Sequence, residues 1–366
     1  MNQALLLLPI VGLAYGAVNV VANLEGAAPP ISADHFVPPE DNNADEPYAQ
    51  SVELGRAVQF VDSAAMDWQT ERRCVTCHTN GLYLIARPAI GSDAPAYRDA
   101  RRFAESYLAR YVIDGEPSRG QHGSTEGLVA TAAFKAISDI QTDGQLNAVT
   151  AQALDHVWSL QDDSGAWVDW LKCNWGPYEA DDHFGVTLMA LAMGFAEGDP
   201  YTRTPTARAG VDKLREYLDA HPPENLHQTG MLLWAAVHLH GLVDGATRAR
   251  WADALLDAQH EDGGWVLAEL GGGQWRREDG DPQDTHTDAY ATAFAAHVLI
   301  ESGMSRDDGP IARAVAWLEQ HQRASGRWFT RSPRRDRSHY ISHAATNFAL
   351  MVLAGDKDED RGTTAP

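Results

Sequence analysis

The chain has few basic residues and few cysteines. Its 366 residues include 29 Lys and Arg against 51 Asp and Glu, a formal net charge of −22, and three cysteines. This acidity argues against nucleic-acid binding and against docking on anionic lipid, since both need a basic surface. It predicts a solvated acidic surface, or an acidic face for a basic redox partner protein. We interpret the one basic run, Arg331 to Arg337, as a solvated loop.

Long apolar runs and strand-like alternation are also missing. After residue 22 no segment reaches the 18 or so apolar residues that can span a bilayer, and no run alternates apolar with polar side chains. The nucleophile motif G-x-S-x-G and a phosphate-cradling glycine loop do not occur. At 44% apolar residues, the composition predicts a globular and mainly helical protein.

The two ends of the chain differ from its middle. Residues 1–22 are apolar and uncharged, which predicts a signal peptide cleaved after Ala22 or an uncleaved N-terminal membrane anchor. Residues 23–50 are rich in Pro, Ala, Asp and Asn and read as a linker, and 356–366 read as a tail. We therefore expect an exported protein, periplasmic or otherwise extracytoplasmic, with its folded domain at 51–355.

The middle of the chain repeats about every 45 to 50 residues, each repeat pairing an amphipathic helix with one that is apolar all round. The amphipathic helices are predicted near 51–65, 101–113, 148–161, 207–219, 247–260 and 309–322. The apolar helices are predicted to begin near Thr79, Ser124, Phe184, Gln228, Thr287 and Ala344. Six buried helices inside six outer ones predict an all-α fold, a six-repeat α/α toroid.

Three outer helices end in the same pattern, Q-x5-W, at Gln161–Trp167, Gln259–Trp265 and Gln322–Trp328. The intervening glycines allow a turn, and we expect the Gln to cap the helix while the Trp stacks over it. The pattern resembles the repeat of the superfamily of squalene–hopene cyclases, oxidosqualene cyclases and protein prenyltransferases. The resemblance covers roughly residues 50 to 355 and implies a toroid with a central cavity and a site at its mouth.

The stretch Cys74-Val75-Thr76-Cys77-His78 holds two of the three cysteines in a C-x-x-C-H pattern. This spacing is the signature of covalent haem attachment: two thioethers to the porphyrin and an adjacent His as axial ligand. Haem c on Cys74 and Cys77, with His78 as proximal ligand, is the leading interpretation. A disulfide, a zinc site and chance are the alternatives.

A histidine stands where each inner helix is predicted to open: His78, His122, His183, His227, His286 and His343. Inner helices of a toroid run in the same direction, so these residues are expected at one mouth, where the helix dipoles favour acids or a bound anion. His183, His227 and His286 are candidates for the distal haem ligand. Asp182 and Asp288 are either helix caps or part of the site.

Two further interpretations concern the same mouth. Cys74, Cys77 and Cys173 with one His would complete a tetrahedral zinc site, and His122, Asp288 and His343 are other candidate ligands. Glu179-Ala180-Asp181-Asp182-His183 resembles in part the D-x-D-D motif of class II terpene cyclases. That resemblance implies Asp181 as the acid, with Asp182 beside it.

The sequence thus predicts an exported toroid with a cofactor site at its mouth. The leading function is electron transfer or haem redox chemistry. The first alternative is a terpene cyclase-like or zinc-dependent enzyme acting on an isoprenoid-like small molecule. The second is a module that binds a ligand or a partner protein.

Overall fold

A computed structural model describes residues 36–117, 124–167, 170, 172–178 and 180–354. Over these ranges the chain is helical and forms no strand beyond isolated bridges, which confirms the predicted all-α class. The expected signal or anchor segment at 1–22 and the tail at 356–366 lie outside these ranges. None of the described helices is long and apolar enough to cross a membrane.

The described helices alternate between two concentric rings. In chain order they are α1 (Leu54–Arg72), α2 (Asn80–Ala86), α3 (Pro95–Val112), α4 (Ser124–Asp143), α5 (Ala148–Leu160), α6 (Asp182–Phe195), α7 (Pro205–Ala220), α8 (Leu226–His238), α9 (Gly245–Asp257), α10 (Leu267–Leu270), α11 (Ala289–Glu301), α12 (Gly309–His321) and α13 (Tyr340–Ala354). Short 3₁₀ turns follow α2 and α6, at Arg87–Ala89 and Pro200–Arg203.

The inner ring is closed. It consists of α2, α4, α6, α8, α11 and α13, each packed against the next, with α13 returning to α2. The outer ring is α1, α3, α5, α7, α9 and α12. Each inner helix begins within four residues of its predicted start; the largest difference is Tyr340 against Ala344. The six-repeat α/α toroid is confirmed.

Inner helices are buried because they are surrounded on every side by other helices. In α6 every residue from His183 to Gly194 is buried. The helix is rich in Gly, Ala, Leu and Met, so it exposes no polar face that would need water. Small residues also allow close approach: a Cβ added at Gly194 would lie 2.5 Å from the backbone nitrogen of Leu239.

The Q-x5-W pattern ties successive outer helices together. Gln259 Nε2 donates to the carbonyl of Gly263 at 2.9 Å and to that of Pro310, in the first turn of α12, at 2.8 Å. Trp265 Nε1 donates to Leu255 O, in the last turn of α9, at 2.7 Å. It is therefore the Trp that satisfies the helix end, whereas the expected cap, the Gln, bridges to the next outer helix.

The other two copies have the same geometry. Gln161 bonds the carbonyls of Gly165 and Gly210, and Trp167 bonds that of Val157. Gln322 bonds the carbonyls of Gly326 and Glu53, and Trp328 bonds that of Leu318.

The third copy closes the ring, because Glu53 immediately precedes α1. Glu53 N donates back to Gln322 Oε1 at 2.7 Å, so the last repeat holds the first with two hydrogen bonds. Gly326 has a φ of 93°, and an added Cβ would lie 2.4 Å from the backbone of Arg56. Only glycine accommodates both the left-handed conformation and this approach.

We therefore expect Gly326→Ala to lower the free energy of unfolding by about 2–4 kcal/mol, because it combines backbone strain with a backbone clash. Urea denaturation followed by circular dichroism measures the change. The matched control is Gly55→Ala, at the start of the same α1, where an added Cβ meets nothing within 4 Å. If both substitutions have equal effects, Gly326 does not close the ring.

Candidate functional site

Four of the six predicted histidines are buried near the N-terminal ends of the inner helices. The exposed fractions of His78, His183, His227 and His343 are 9%, 5%, 2% and 7%. His78 lies just before α2, and the other three lie in the first turn of α6, α8 and α13. The common direction of the inner helices thus brings side chains from distant repeats to one mouth.

A hydroxyl joins two of these histidines. Thr79 Oγ1 lies 2.8 Å from His78 Nδ1 and 3.0 Å from His343 Nδ1. A single hydroxyl can donate to one imidazole while it accepts from the other. Two repeats at opposite ends of the sequence are therefore connected at the point where the ring closes.

Aromatic rings extend this contact across the mouth. The His78 ring lies 4.8 Å from the Tyr340 ring and 6.1 Å from the Tyr178 ring. Tyr178 in turn lies 6.3 Å from His227, whose Nε2 is 2.9 Å from the Tyr290 hydroxyl. The arrangement is a continuous layer of imidazole and phenol groups under the mouth.

His183 lies beside this layer, in a small cavity. Its Nδ1 is 3.2 Å from Thr187 Oγ1 one turn along α6, and its Nε2 has no hydrogen-bond partner among the described residues. The cavity is also lined by Asp181, His227 and Trp275. Its volume is about 10 Å³, about the minimum for one water molecule.

Burial keeps these imidazoles neutral at physiological pH. It lowers the pKa of His78 to about 3 and that of His227 to about 3, and it lowers the pKa of His343 well below its usual value. Burial also lowers the pKa of His183, opposed by the nearby Asp181 carboxylate. Neutral imidazoles are hydrogen-bond partners, bases or metal ligands, and not fixed positive charges.

Of the two remaining predicted histidines, His286 does not join the group. The His286 side chain is 90% exposed and its Nδ1 lies 2.8 Å from Asp284 Oδ1. The loop before α11 turns it outward, so the structure does not place it as a ligand at the mouth. His122 lies outside the described residues.

The acidic residues mainly organise helix starts. Asp181 caps α6 through Oδ1 and Phe184 N at 3.2 Å, while its Oδ2 accepts from Gln228 Nε2 at 2.7 Å. Asp182 contacts Lys172 Nζ at 2.8 Å on the partly exposed side. The cap interpretation therefore applies to Asp181 rather than Asp182.

Asp288 is the second cap. Its carboxylate accepts from Ala291 N at 3.0 Å, Leu267 N at 2.6 Å and Thr330 Oγ1 at 3.2 Å. Burial nevertheless raises the pKa of Asp288 to about 7. It supports the start of α11, and in the described residues it belongs to no group of three or more His, Cys, Asp or Glu side chains suited to a metal.

The C-x-x-C-H stretch forms a tight loop between α1 and α2. Arg73 ends α1 in the left-handed conformation with a φ of 53°. Asn80 then holds the loop: its Oδ1 accepts from Thr76 N at 2.9 Å and its Nδ2 donates to Cys74 O at 2.9 Å. The loop thereby fixes the position of His78 above the inner ring.

The three cysteines differ in burial. Cys77 is 2% exposed, whereas Cys74 and Cys173 are partly buried. No group of three or more His, Cys, Asp or Glu side chains suited to a metal occurs among the described residues. The structure does not assemble the predicted four-ligand zinc site.

One opening at the mouth, here called the arginine pocket, has a volume of about 200 Å³. It is lined by Trp68, Arg72, His78, Trp175, Gly176, Tyr178, Arg334, Arg335, Arg337, Ser338, His339 and Tyr340. Four guanidinium groups therefore surround one pocket in a protein whose net charge is −22. The Arg331–Arg337 run is a loop, as interpreted from the sequence, with Arg335 and Arg337 exposed, and this loop lies at the mouth.

Aromatic faces hold two of these arginines. The Arg334 guanidinium lies 4.4 Å from the centre of the Trp175 ring, and that of Arg72 lies 5.6 Å from the Trp68 ring. Arg334 also pairs with Glu278 at 2.8 Å. An adjoining cavity of about 380 Å³ shares Trp68, Arg72 and His339 with the arginine pocket and is also lined by the acidic residues Glu40, Asp41, Asp67 and Glu71.

Haem fits this mouth only in part. His78 lines the pocket with Nδ1 bonded to Thr79, so Nε2 is the ring nitrogen left for a ligand, as is usual for metal-binding histidines. Neither Cys74 nor Cys77 lines the pocket. The thioether positions do not fit a porphyrin in this pocket.

No family model matches the chain. A drimenyl diphosphate synthase from Streptomyces showdoensis is 27% identical over 187 residues, which cover 46% of this chain and 32% of that protein. The chain thus matches about a third of the length of this curated relative.

Two solved structures show the same architecture. The ent-copalyl diphosphate synthase from Streptomyces platensis has a TM-score of 0.50 at 14% identity, covering 76% of this chain and 50% of its own. The unsaturated glucuronyl hydrolase from Bacillus sp. GL1 has a TM-score of 0.51 at 13% identity, covering 82% and 95%. The chain has the α/α-toroid fold of terpene cyclase-like proteins and glycosidases.

The buried histidines make stability depend on pH. Because folding depresses the pKa of His78 and His227 below about 6.5, the unfolded chain binds more protons in this range, and stability falls as the pH falls from about 6.5 towards 3. Each contributes a slope of about 1.4 kcal/mol per pH unit. Between pH 6.5 and 5, where the Asp288 carboxyl titrates in the same way in both proteins, His227→Gln should flatten the curve of unfolding free energy against pH.

The control is His240→Gln. The His240 side chain is 83% exposed, so this substitution should leave the slope of the stability curve unchanged. Urea titrations at four pH values measure both variants. An unchanged slope in the His227 variant would show that this imidazole does not stay neutral in the folded protein.

Proposed function

We propose that this protein is a terpene cyclase-like enzyme that binds an anionic, isoprenoid-like substrate at the mouth of its toroid. The observation that carries the proposal is the arginine pocket. Guanidinium groups bind phosphate or carboxylate oxygens in pairs, and the N-terminal ends of the inner helices add positive potential at the same end. The aromatic side chains beside them offer apolar surface to a hydrocarbon chain.

The similarity to the drimenyl diphosphate synthase supports this choice over the haem interpretation. The two terpene-related proteins in the comparison are both named as diphosphate synthases, and a diphosphate is an anion of the kind that four arginines favour. The arginine pocket supports this proposal independently of the partial D-x-D-D motif.

Asp181 is the candidate acid. It lies in the small cavity next to the arginine pocket, and residues 176–178 separate the two. In the proposed step its carboxyl proton passes to a carbon–carbon double bond of the substrate, and the resulting cation meets the faces of Tyr178, Phe184 and Trp275. Both carboxylate oxygens accept hydrogen bonds in this conformation, and the cavity has a volume of only about 10 Å³. Proton donation to a substrate therefore requires the Gln228 contact to open and the cavity to widen.

The binding part is tested with farnesyl diphosphate by calorimetry. Arg72→Gln with Arg337→Gln should weaken binding by 10- to 100-fold, as expected when charge-assisted hydrogen bonds are lost. The control is Arg208→Gln on the exposed side of α7, which should leave affinity unchanged. Equal affinity in all three proteins would place the anion site elsewhere.

The chemical part is tested by product analysis. Asp181→Asn keeps the helix cap, since Asn caps as well as Asp, but it cannot donate the proton. We expect cyclised product from the wild type by gas chromatography, none above background from Asp181→Asn, and retained binding of farnesyl diphosphate. If wild-type protein binds but never cyclises an isoprenoid diphosphate, the enzyme proposal fails while the binding site stands.

A second candidate is the exported c-type haem protein that the C-x-x-C-H motif predicts. The Nδ1 bond from His78 to Thr79 favours it, since this bond orients the ring as in metal-ligating histidines. In this account a redox partner protein would dock at the mouth. The poor fit of Cys74 and Cys77 to the arginine pocket opposes it.

Mass spectrometry under denaturing conditions decides this candidate. Protein made with haem-maturation machinery should exceed the polypeptide mass by one haem, because thioether bonds survive unfolding, and Cys74→Ala with Cys77→Ala should abolish the excess. The bare polypeptide mass in wild-type protein would exclude covalent haem.

A further inference from the structure

The cavity beside the arginine pocket, which we call the acidic cavity, has a volume of about 380 Å³. This volume is well above the roughly 10–15 Å³ that one water molecule needs, so the cavity has room for an organic molecule. Four of the side chains that line it are carboxylates, and Arg72 is the one guanidinium among them. The lining is therefore formally negative. The full lining is Pro39, Glu40, Asp41, Asp67, Trp68, Glu71, Arg72, His339 and His343.

The two carboxylates on α1 lack a partner. Asp67 and Glu71 stand about one helical turn apart, and neither accepts a hydrogen bond or joins an ion pair with another described residue. Like charges at this spacing repel each other. Burial and the neighbouring Glu71 raise the pKa of Asp67, although Arg72 and His339 oppose the shift. A cation between the two side chains would remove this repulsion.

The other two carboxylates come from the segment before α1. Arg327 Nη1 donates to the carbonyl of Glu40 at 3.0 Å, and Asn42 N donates to His339 Nδ1 at 2.7 Å. These bonds hold the segment at the cavity. The Asp41 carboxylate lies 3.4 Å from His339 Nε2, and its side chain remains exposed. Negative groups therefore line the cavity from two sides, from α1 and from this segment.

A buried histidine also lines the acidic cavity. His343 is 7% exposed, and its Nδ1 lies 3.0 Å from Thr79 Oγ1. Its Nε2 has no hydrogen-bond partner among the described residues. In contrast to His183 Nε2, this atom is not closed off and keeps accessible surface. Because the ring lines the cavity, His343 Nε2 is available to a ligand there.

The Thr79 hydroxyl restricts what His343 offers. A hydroxyl has one proton, so Thr79 donates to one of its two neutral imidazole neighbours and accepts from the other. Of His78 Nε2 and His343 Nε2, one therefore carries a proton and the other a lone pair. When His78 donates to an anion in the arginine pocket, His343 presents its lone pair to the acidic cavity. Carboxylates and this lone pair are all acceptors, so they suit a ligand that only donates.

We propose that the acidic cavity binds an aliphatic diamine. Its ammonium groups only donate hydrogen bonds, and a short methylene chain between them lets them reach carboxylates on both sides of the cavity. The Trp68 side chain offers this chain an apolar surface. A single metal ion fits less well, because no group of three or more His, Cys, Asp or Glu side chains suited to a metal occurs among the described residues.

This site goes beyond the function proposed for the mouth and does not depend on it. An ammonium group that binds at His343 Nε2 itself selects the tautomer with the lone pair there, so no anion is required in the arginine pocket. Binding of a diamine is therefore measured without any diphosphate. Failure of one proposal leaves the other standing.

Calorimetry with putrescine tests the site. Asp67→Asn with Glu71→Gln should weaken binding about tenfold, because two partly exposed ion pairs are lost. The matched control is Asp253→Asn with Asp257→Asn, which removes two exposed carboxylates at the same spacing on α9 and should keep wild-type affinity. The diol of the same chain length, 1,4-butanediol, carries no charge and should not bind.

Nitrogen NMR on protein with ¹⁵N-labelled histidine tests the contact with His343. Putrescine should shift the Nε2 signal that is absent from His343→Gln. If that variant does not fold, the carboxylate variant and its control still decide the proposal. It is overturned if wild-type protein binds putrescine no more tightly than the Asp67 and Glu71 variant, if the α9 control loses as much affinity, if the diol binds equally, or if the His343 signal does not move. Each of these results would mean that the carboxylates are solvated surface groups.

Discussion

The common direction of the six inner helices is the constraint on which the rest of the structure depends. Each inner helix is apolar on all sides and can be buried only inside a second layer, so the outer helices must return the chain to the same end after every repeat. All inner N-terminal ends therefore meet at one mouth and all C-terminal ends at the base. The ring closes where Gln322 bonds the backbone of Glu53 and where Thr79 joins His78 to His343.

Because the inner helices share one direction, the two ends of the toroid differ in the sign of the helix-end partial charges. The mouth combines helix N-terminal ends with four arginines, while the base combines helix C-terminal ends with Glu301. Within a chain of net charge −22, the arginine pocket places four basic side chains around one opening, which is the arrangement that we propose attracts an organic anion. The neutral imidazoles beneath it add hydrogen-bonding groups without adding charge, so binding at the mouth should depend on arginine and not on histidine protonation.

The repeat architecture could be predicted from the sequence because it depends on local periodicity. Apolar runs at regular spacing located the inner helices, and Q-x5-W located three turns. In these turns the Trp, and not the Gln, satisfies the helix end, while the Gln bridges to the next outer helix. The site was harder to predict. His78 and His227 are buried because Tyr340, Tyr178 and Tyr290 from other repeats cover them, whereas His286 stands on an exposed loop with the same local pattern. Local sequence does not contain that difference.

The place of the arginine run at the mouth was not predicted, for a related reason. A dense run of like charge usually indicates a solvated segment, and only tertiary packing folds Arg334 onto Trp175 at the mouth. One sequence signal could have indicated this position. The stretch Arg337-Ser338-His339-Tyr340 combines basic and aromatic side chains at the start of an inner helix.

The central claim is that the N-terminal mouth is the anion-binding end of the toroid. A crystal structure with a non-hydrolysable farnesyl thiodiphosphate tests it most directly. The account predicts density for the diphosphate within hydrogen-bonding distance of Arg72 and Arg337, with the farnesyl chain against Trp68 or Tyr178. A diphosphate bound at the base, or on the outer helices away from these arginines, would contradict it.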